Sequence, residues 1–254
     1  MGFAFLFQLL LLSAFSIGVS KGQLSVGFYA NTCPNAESIV SSVVRNAAQS
    51  SSNIPPVLLR LHFHDCFVEG CDGSILIENG PNAERHAFGH QGVGGFEVIE
   101  QAKAQLETTC PGVVSCADIV ALAARDAIVL ANGPSYDVPT GRRDGRVSDV
   151  SLAANMPDDG DVNVRLPMDR GSEQSFDKQI LDNVRNGFAV LESDARLYDD
   201  DSTRTVADSY FGFLSPIFGP SFEADFVDSI VKMGRIGVKT GSKGEIRRVC
   251  TAFN

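Results

Sequence analysis

Leu59-Arg60-Leu61-His62-Phe63-His64-Asp65-Cys66-Phe67-Val68-Glu69-Gly70-Cys71-Asp72-Gly73-Ser74 is the stretch on which the reading of the whole chain turns. Wound as a helix over 57–67, it places Arg60, Phe63, His64 and Phe67 at i, i+3, i+4 and i+7, on one face. A guanidinium and an imidazole then project together from a wall that also carries two aromatic rings. His62 points elsewhere, toward core or solvent. The pair suits O–O bond cleavage, in which a base takes a proton from one oxygen and returns it to the departing one. The guanidinium stabilises charge growing on the leaving oxygen. A lone His/Arg pair also serves as an ordinary hydrogen-bonding pair in a core or on a surface, so its surroundings must decide.

Those surroundings are oxygen-rich. Asp65, Asp72 and Ser74, with the carbonyls of Val68 and Gly70, surround a loop pinched between Cys66 and Cys71, and Glu84 can join through a water. Ca²⁺ takes six to eight oxygen ligands in flexible loops of this kind. The alternative is a plain solvated acidic loop. A cation held by the residue next to His64 would stiffen the backbone that carries it. A non-haem metal site in a hydrolase, built on His62-x-His64-Asp65, is a rival that helical spacing disfavours, since it separates the two imidazoles.

Further out, the first 22 residues read as a signal peptide. Phe3 to Phe15 is apolar apart from Gln8 and Ser13, and small and polar residues follow, with cleavage after Ser20 or Gly22. The run is short for a membrane anchor. Export makes an oxidising compartment the setting for Cys33, Cys66, Cys71, Cys110, Cys116 and Cys250. Three disulfides are then the default, with fifteen pairings open from sequence and a zinc site unsupported by ligand spacing. A net charge of −10 over 254 residues is the wrong sign for a non-specific nucleic-acid binder.

The remaining periodicity is helical, and the chain reads as all-α. Ile39, Val40, Val43, Val44, Ala47 and Ala48 make one stripe, with Asn35 as the expected cap. Pro55-Pro56 opens the helix that carries Arg60 and His64, where proline costs no hydrogen bond. Residues 95–106 form a third helix. Ser115-x-x-Asp118 has the form of a capping box before an alanine-rich helix to Ala131. Phe222, Phe226, Ile230 and Met233 form a last stripe, ended by Gly234.

Arg-x-x-Phe-His-Asp-Cys-Phe-Val-x-Gly-Cys-Asp-x-Ser resembles the distal-site signature of the class III plant haem peroxidases. The likeness extends to residues 23–34, Val114-Ser115-Cys116-Ala117-Asp118-Ile119 and Val138-Pro139-Thr140-Gly141-Arg142-Arg143-Asp144. It resumes at Ser175-Phe176-Asp177, Glu192-Ser193-Asp194 and Met233-Gly234. It implies a helical plant-peroxidase fold of two halves around a haem b cleft, in a monomer at 23–254 secreted to the apoplast, cell wall or vacuole. The implied activity is oxidation of small phenolic donors by hydrogen peroxide, with a place in the response to oxidative stress. His64 becomes the distal acid/base, Arg60 its partner and Phe63 the ring at the haem edge. Asp65, Val68, Gly70, Asp72, Ser74 and Glu84 become the distal calcium set, and Pro157, in Asn155-Met156-Pro157, the donor-site proline. The implied disulfides are Cys33–Cys110, Cys66–Cys71 and Cys116–Cys250.

The resemblance breaks after Pro157. The family continues into a helix bearing Ala-His-Thr, whose histidine ligates the haem iron; here Asp158-Asp159-Gly160-Asp161-Val162-Asn163-Val164 follows at once. The four histidines are His62, His64, His86 and His90, so no haem axial ligand is found. The family's fourth disulfide is absent as a pair. Together these imply an in-frame deletion near 158–160 that removes several helices of the proximal half and leaves Asp194 without its imidazole partner. A residual proximal calcium set, Asp169, Ser172 and Asp177, is expected. The implied alternative function is a catalytically impaired, calcium-binding, disulfide-stapled variant without stable haem. His90 stands where the family has an asparagine that accepts a hydrogen bond from the distal histidine.

Overall fold

The computed structural model describes residues 24–154, 169, 171–212 and 219–254. Helix α1 spans Ala36–Ser50, α2 Ile54–Cys66, α3 Phe96–Thr109 and α4 Cys116–Leu130. The shorter α5 (Gln179–Arg185), α6 (Glu192–Ala195) and α7 (Asp201–Ser209) precede α8 (Phe222–Met233). Among the described residues strand pairing is confined to three isolated bridges, Ser25 with Thr140, Arg143 with Lys239 and Asp144 with Glu245. The fold is all-α. No described helix is long and apolar enough to cross a membrane.

The core is organised around α4. Its alanines leave little bulk between neighbouring backbones, and buried residues occur on nearly every side of the helix. It packs against α1, α2 and α3. Val40, Val43 and Val44 of α1, Leu58 and Leu61 of α2, Ile99 and Leu106 of α3, and Ile119 and Leu122 of α4 close one apolar cluster. Pro55 and Pro56 occupy the first turn of α2, where no intrahelical N–H is lost. The helix ends one residue earlier than its sequence suggests, with Phe67 as cap.

Two expected caps differ from their sequence reading. Asn35 makes no side-chain bond to α1. At α4, Ser115 Oγ accepts from the Asp118 amide at 3.1 Å, but Asp118 does not return the bond. Its carboxylate instead accepts from Arg142 Nη1 (2.7 Å), Tyr29 Oη (2.6 Å) and the Gly141 amide (2.7 Å). A buried guanidinium outcompetes the neutral backbone N–H for a carboxylate, since charge-assisted bonds are about twice as strong. Ser115 N donates to Tyr29 Oη at 3.3 Å. Arg142 also donates through Nε to the Gly234 carbonyl at 3.0 Å, which ties the end of α8 to the core.

The second half of the chain is thinner. Among described residues, α5 to α8 bury only Asn183, Val184, Ala207 and Ile230. Phe188, Val190, Leu197 and Val206 lie exposed. Phe176, Tyr210, Phe222 and Phe226 stack into a small aromatic group, with centroids 4.6–5.6 Å apart along its closest pairs. The cysteines pair as Cys33–Cys110, Cys66–Cys71 and Cys116–Cys250. The last pair fastens the C-terminal segment to the start of α4.

Candidate active site

One turn of α2 separates Arg60 from His64, and the helix brings Arg60 Nε to 3.1 Å from His64 Nε2. Arg60 Nη2 also donates to the Gln91 carbonyl at 3.0 Å. Phe63 meets His64 edge-on at 5.4 Å and Phe67 at 4.6 Å between ring centroids. Arg60 and Phe63 are half-buried, His64 is buried, and Phe67 is exposed. His62 turns into the core against Arg142 and Gly234, with Nδ1 3.6 Å from Cys66 Sγ. Burial, helped by the Arg142 charge, holds its pKa down at about 3.

Behind His64 stands His90, delivered by the short 3₁₀ turn Phe88–His90. The two Nδ1 atoms are 2.9 Å apart. Burial, then the charges of Arg60 and the neighbouring ring, pull His64 down to about 3. Burial followed by Arg60 pulls His90 down to about 4. Both rings are therefore neutral at neutral pH, and a neutral imidazole has the lone pair that a base needs.

The loop after α2 gathers its oxygens in a dry place. Asp65, Val68, Asp72, Ser74 and Glu84 are all buried. Asp65 Oδ2 accepts from Gly73 N at 3.1 Å and Asp72 Oδ1 from Ser74 N at 3.0 Å. Asp65 Oδ1, Ser74 Oγ and both Glu84 oxygens have no hydrogen-bond partner. Burial pushes Asp65 well above the ordinary carboxylate range, with the Asp72 and Glu84 charges adding to it. Burial likewise pushes Glu84 up to about 8, and the Ser74 hydroxyl, near but outside good hydrogen-bond geometry, pulls the other way. Orphaned carboxylate and hydroxyl oxygens packed together are what a hard cation satisfies. Among the described residues no three Asp, Glu, His or Cys side chains form a metal site by themselves. Closure of a calcium shell therefore needs the Ser74 hydroxyl and the Val68 and Gly70 carbonyls.

Gly70 lets the C-terminal segment lie against this loop. It has φ +97°, and a Cβ there would sit 2.5 Å from Gly237 Cα. Cys71 N donates to the Ile236 carbonyl at 3.0 Å. Lys239 pairs with Asp72, and Arg247 donates to the carbonyls of Gly73 and Cys250 at 2.9 Å. Lys239 and Arg247 are the site's neighbours that sequence reasoning missed. They lie more than 160 residues from the loop they brace, and no local pattern marks them.

The second acidic set also converges. Ser172 Oγ donates toward Asp169 Oδ2 (3.0 Å) and Asp177 Oδ1 (3.1 Å), and Asn183 donates to Asp169 Oδ1 at 2.8 Å. Asp194 is half-buried, and burial alone raises its pKa. Pro157, residues 1–22 and the junction at 158–160 lie outside the described residues.

All four histidines are thus accounted for: His62 faces Arg142, His64 and His90 face each other, and His86 pairs with Glu78 at 2.8 Å. None stands across from the Arg60–His64 wall. The chain offers no imidazole beyond these four with which to hold an iron centre.

A family model for peroxidases matches residues 40–166. The chain is 54% identical to Peroxidase 43 of Arabidopsis thaliana over an alignment of 307 residues, which takes in 93% of this chain and 94% of that protein. It is 44% identical to Peroxidase 13 of the same plant, covering 98% of each. It is 40% identical to Peroxidase N1 of Nicotiana tabacum, covering 98% of this chain and 96% of the relative. Because the alignment of 307 residues takes in only 93% of a 254-residue chain, about 70 of its positions have no counterpart here.

Proposed function

This chain belongs to the class III plant peroxidase family, and from that premise we propose that it handles hydrogen peroxide through His64 and Arg60 and oxidises small phenolic donors. The observation that carries the reading is the 3.1 Å pairing of Arg60 Nε with His64 Nε2 on the half-buried face that also bears Phe63. While the two electrons that O–O cleavage consumes have to come from a redox group these residues do not supply, His64 would move a peroxide proton at Nε2 to the departing oxygen. Arg60 holds the charge that develops there, and Phe63 limits access to the wall. Pro157 is the donor-site residue. Haem b would supply the iron chemistry such a wall serves, and the four histidines of this chain leave no imidazole to hold it.

Calcium fits better. Asp65, Asp72 and Ser74, with the Val68 and Gly70 carbonyls, hold it, and Glu84 closes the shell through water; the orphaned buried oxygens support this. Asp169, Ser172 and Asp177 form the remainder of a second calcium site. The protein is made with a signal peptide at 1–22 and acts, as a monomer at 23–254, in the apoplast, cell wall or vacuole. An in-frame loss near 158–160 accounts for both the unmatched alignment positions and the absent histidine.

The histidine positions favour a second reading: a calcium-binding, disulfide-stapled peroxidase variant that does not hold haem stably. Residues 23–254, refolded with haem and calcium, separate the two. A Soret band with peroxide-dependent phenol oxidation supports the first. Calcium binding with neither supports the second.

A further inference from the structure

Asn-Gly occurs three times in this chain, at 79–80, 132–133 and 186–187. In such a step the glycine, having no Cβ, lets its backbone nitrogen reach the asparagine Cγ. The attack needs that nitrogen to be free of a hydrogen bond and the asparagine side chain to be free to swing toward it. The fold treats the three steps differently. Gly133 N donates to the Ile128 carbonyl at 2.8 Å, and a Cβ on Gly133 would lie 2.5 Å from Ile128 Cγ2 and 2.9 Å from Phe176 Cγ. Gly187 N donates to the Val184 carbonyl at 3.1 Å, and Asn186 Nδ2 donates to the Asp182 carbonyl at 2.8 Å. Asn79 lies exposed in the loop after the 3₁₀ turn Ser74–Leu76. Neither its side chain nor Gly80 N has a hydrogen-bond partner among the described residues. Apart from its chain neighbours, no atom lies within 4 Å of where a Gly80 Cβ would stand.

We propose that Asn79 is a site of spontaneous deamidation, converted in the folded protein to aspartate and iso-aspartate. Gly80 N gives up its proton and bonds to Asn79 Cγ; the Cγ–Nδ2 bond breaks, and the amide group leaves with a proton as ammonia. Water then opens the cyclic imide at either carbonyl and leaves one carboxylate, so no oxidant or reductant takes part. Opening at the main-chain carbonyl reroutes the backbone through Asn79 Cβ and lengthens it by one methylene. That change falls between two anchors of the loop. Glu78 N donates to the Thr251 carbonyl at 2.8 Å, and Ala83 N donates to the Gly80 carbonyl at 2.9 Å. The new charge also lies next in sequence to Glu78, whose carboxylate holds Arg85 at 2.9 Å and His86 at 2.8 Å. Nothing in this chemistry depends on haem, calcium or peroxide.

Asn79-Gly80-Pro81 and Asn132-Gly133-Pro134 share the sequence Asn-Gly-Pro, so the second is an internal control for the first. The test is peptide mapping by mass spectrometry of the folded protein held at mildly alkaline pH, beside a sample unfolded in urea. Electron-based fragmentation separates aspartate from iso-aspartate. In the folded sample the Asn79 peptide is expected to convert while the Asn132 and Asn186 peptides stay intact. In urea all three are expected to convert at comparable rates. Gly80→Ala puts a methyl beside the attacking nitrogen and should leave Asn79 intact at the time when half of wild type has converted. Survival of Asn79 in the folded protein over the period in which it converts in urea overturns the proposal. So does a folded protein in which Asn132 or Asn186 converts as fast as Asn79, or a folded Gly80→Ala that converts as fast as wild type. Should Gly80→Ala fail to fold, the folded and unfolded wild-type samples decide.

Discussion

A carboxylate buried without a hydrogen bond is held there by a proton or by a cation, and Glu84 sets that choice. Its pKa rises from an ordinary 4.5 to about 8, mainly through burial. In the calcium-free protein the native state therefore keeps a proton that the unfolded chain has shed. The contribution of Glu84 is complete below about pH 4.5 and is lost as pH rises toward 8. Chemical denaturation of wild type and Glu84→Gln in the presence of a chelator should show wild type losing stability relative to the variant across that window. The loss should be on the order of a few kcal/mol, at about 1.4 kcal/mol per pKa unit. Calcium should abolish the difference and release protons on binding. A wild-type-minus-variant difference that stays flat with pH in chelator would refute this account of the loop. Arg60 and His64 were legible because helical spacing alone puts them on one face. The His64–His90–Glu84 contacts were only partly so, since two 3₁₀ turns, Glu84–His86 and Phe88–His90, fold those residues back behind α2.

At the scale of elements, α2 and the loop after it are joined by the Cys66–Cys71 bridge. The helix supplies the wall, the Cys66–Cys71 bridge turns the chain, and the C-terminal segment presses on the loop where Gly70 meets Gly237. Gly70→Ala places a methyl 2.5 Å from Gly237 Cα at a backbone angle that L residues avoid. It should destabilise the fold by about 1–3 kcal/mol and weaken calcium binding, read by calorimetric titration; unaltered calcium affinity would show that loop and tail are not coupled. The long helices were legible from their apolar stripes and from Pro55-Pro56. The bracing of the loop by Lys239 and Arg247 was not, because partners so distant in sequence leave no periodic trace. The cap at α4 was half legible: Ser115 behaves as its motif suggests, and Asp118 goes to Arg142 and Tyr29, which only the folded core brings near.

Over the whole molecule, the chain is unevenly built. One apolar cluster joins α1 to α4, whereas α5 to α8 bury little and leave Phe188, Leu197 and Val206 at the surface. The Cys116–Cys250 bridge, across a separation of 134 residues, keeps the C-terminal segment on the better-packed half. In a loop-entropy description it is worth about 5 kcal/mol. The distal wall stands on that half. The chain has no histidine beyond residue 90, and Asp194 stands as a half-buried carboxylate. In the proposed function peroxide chemistry rests on Arg60 and His64, and the chain holds no imidazole besides His62, His64, His86 and His90 to complete an iron site.

Adding free imidazole to the haem- and calcium-reconstituted protein tests that claim most directly. Soluble imidazole should bring up the absorption spectrum of histidine-ligated haem and raise peroxide-dependent phenol oxidation. His64→Leu should then cut that oxidation by about 10²–10⁴-fold, the usual worth of a positioned acid/base. Full turnover without imidazole, or an imidazole-supported rate indifferent to His64→Leu, would contradict the account.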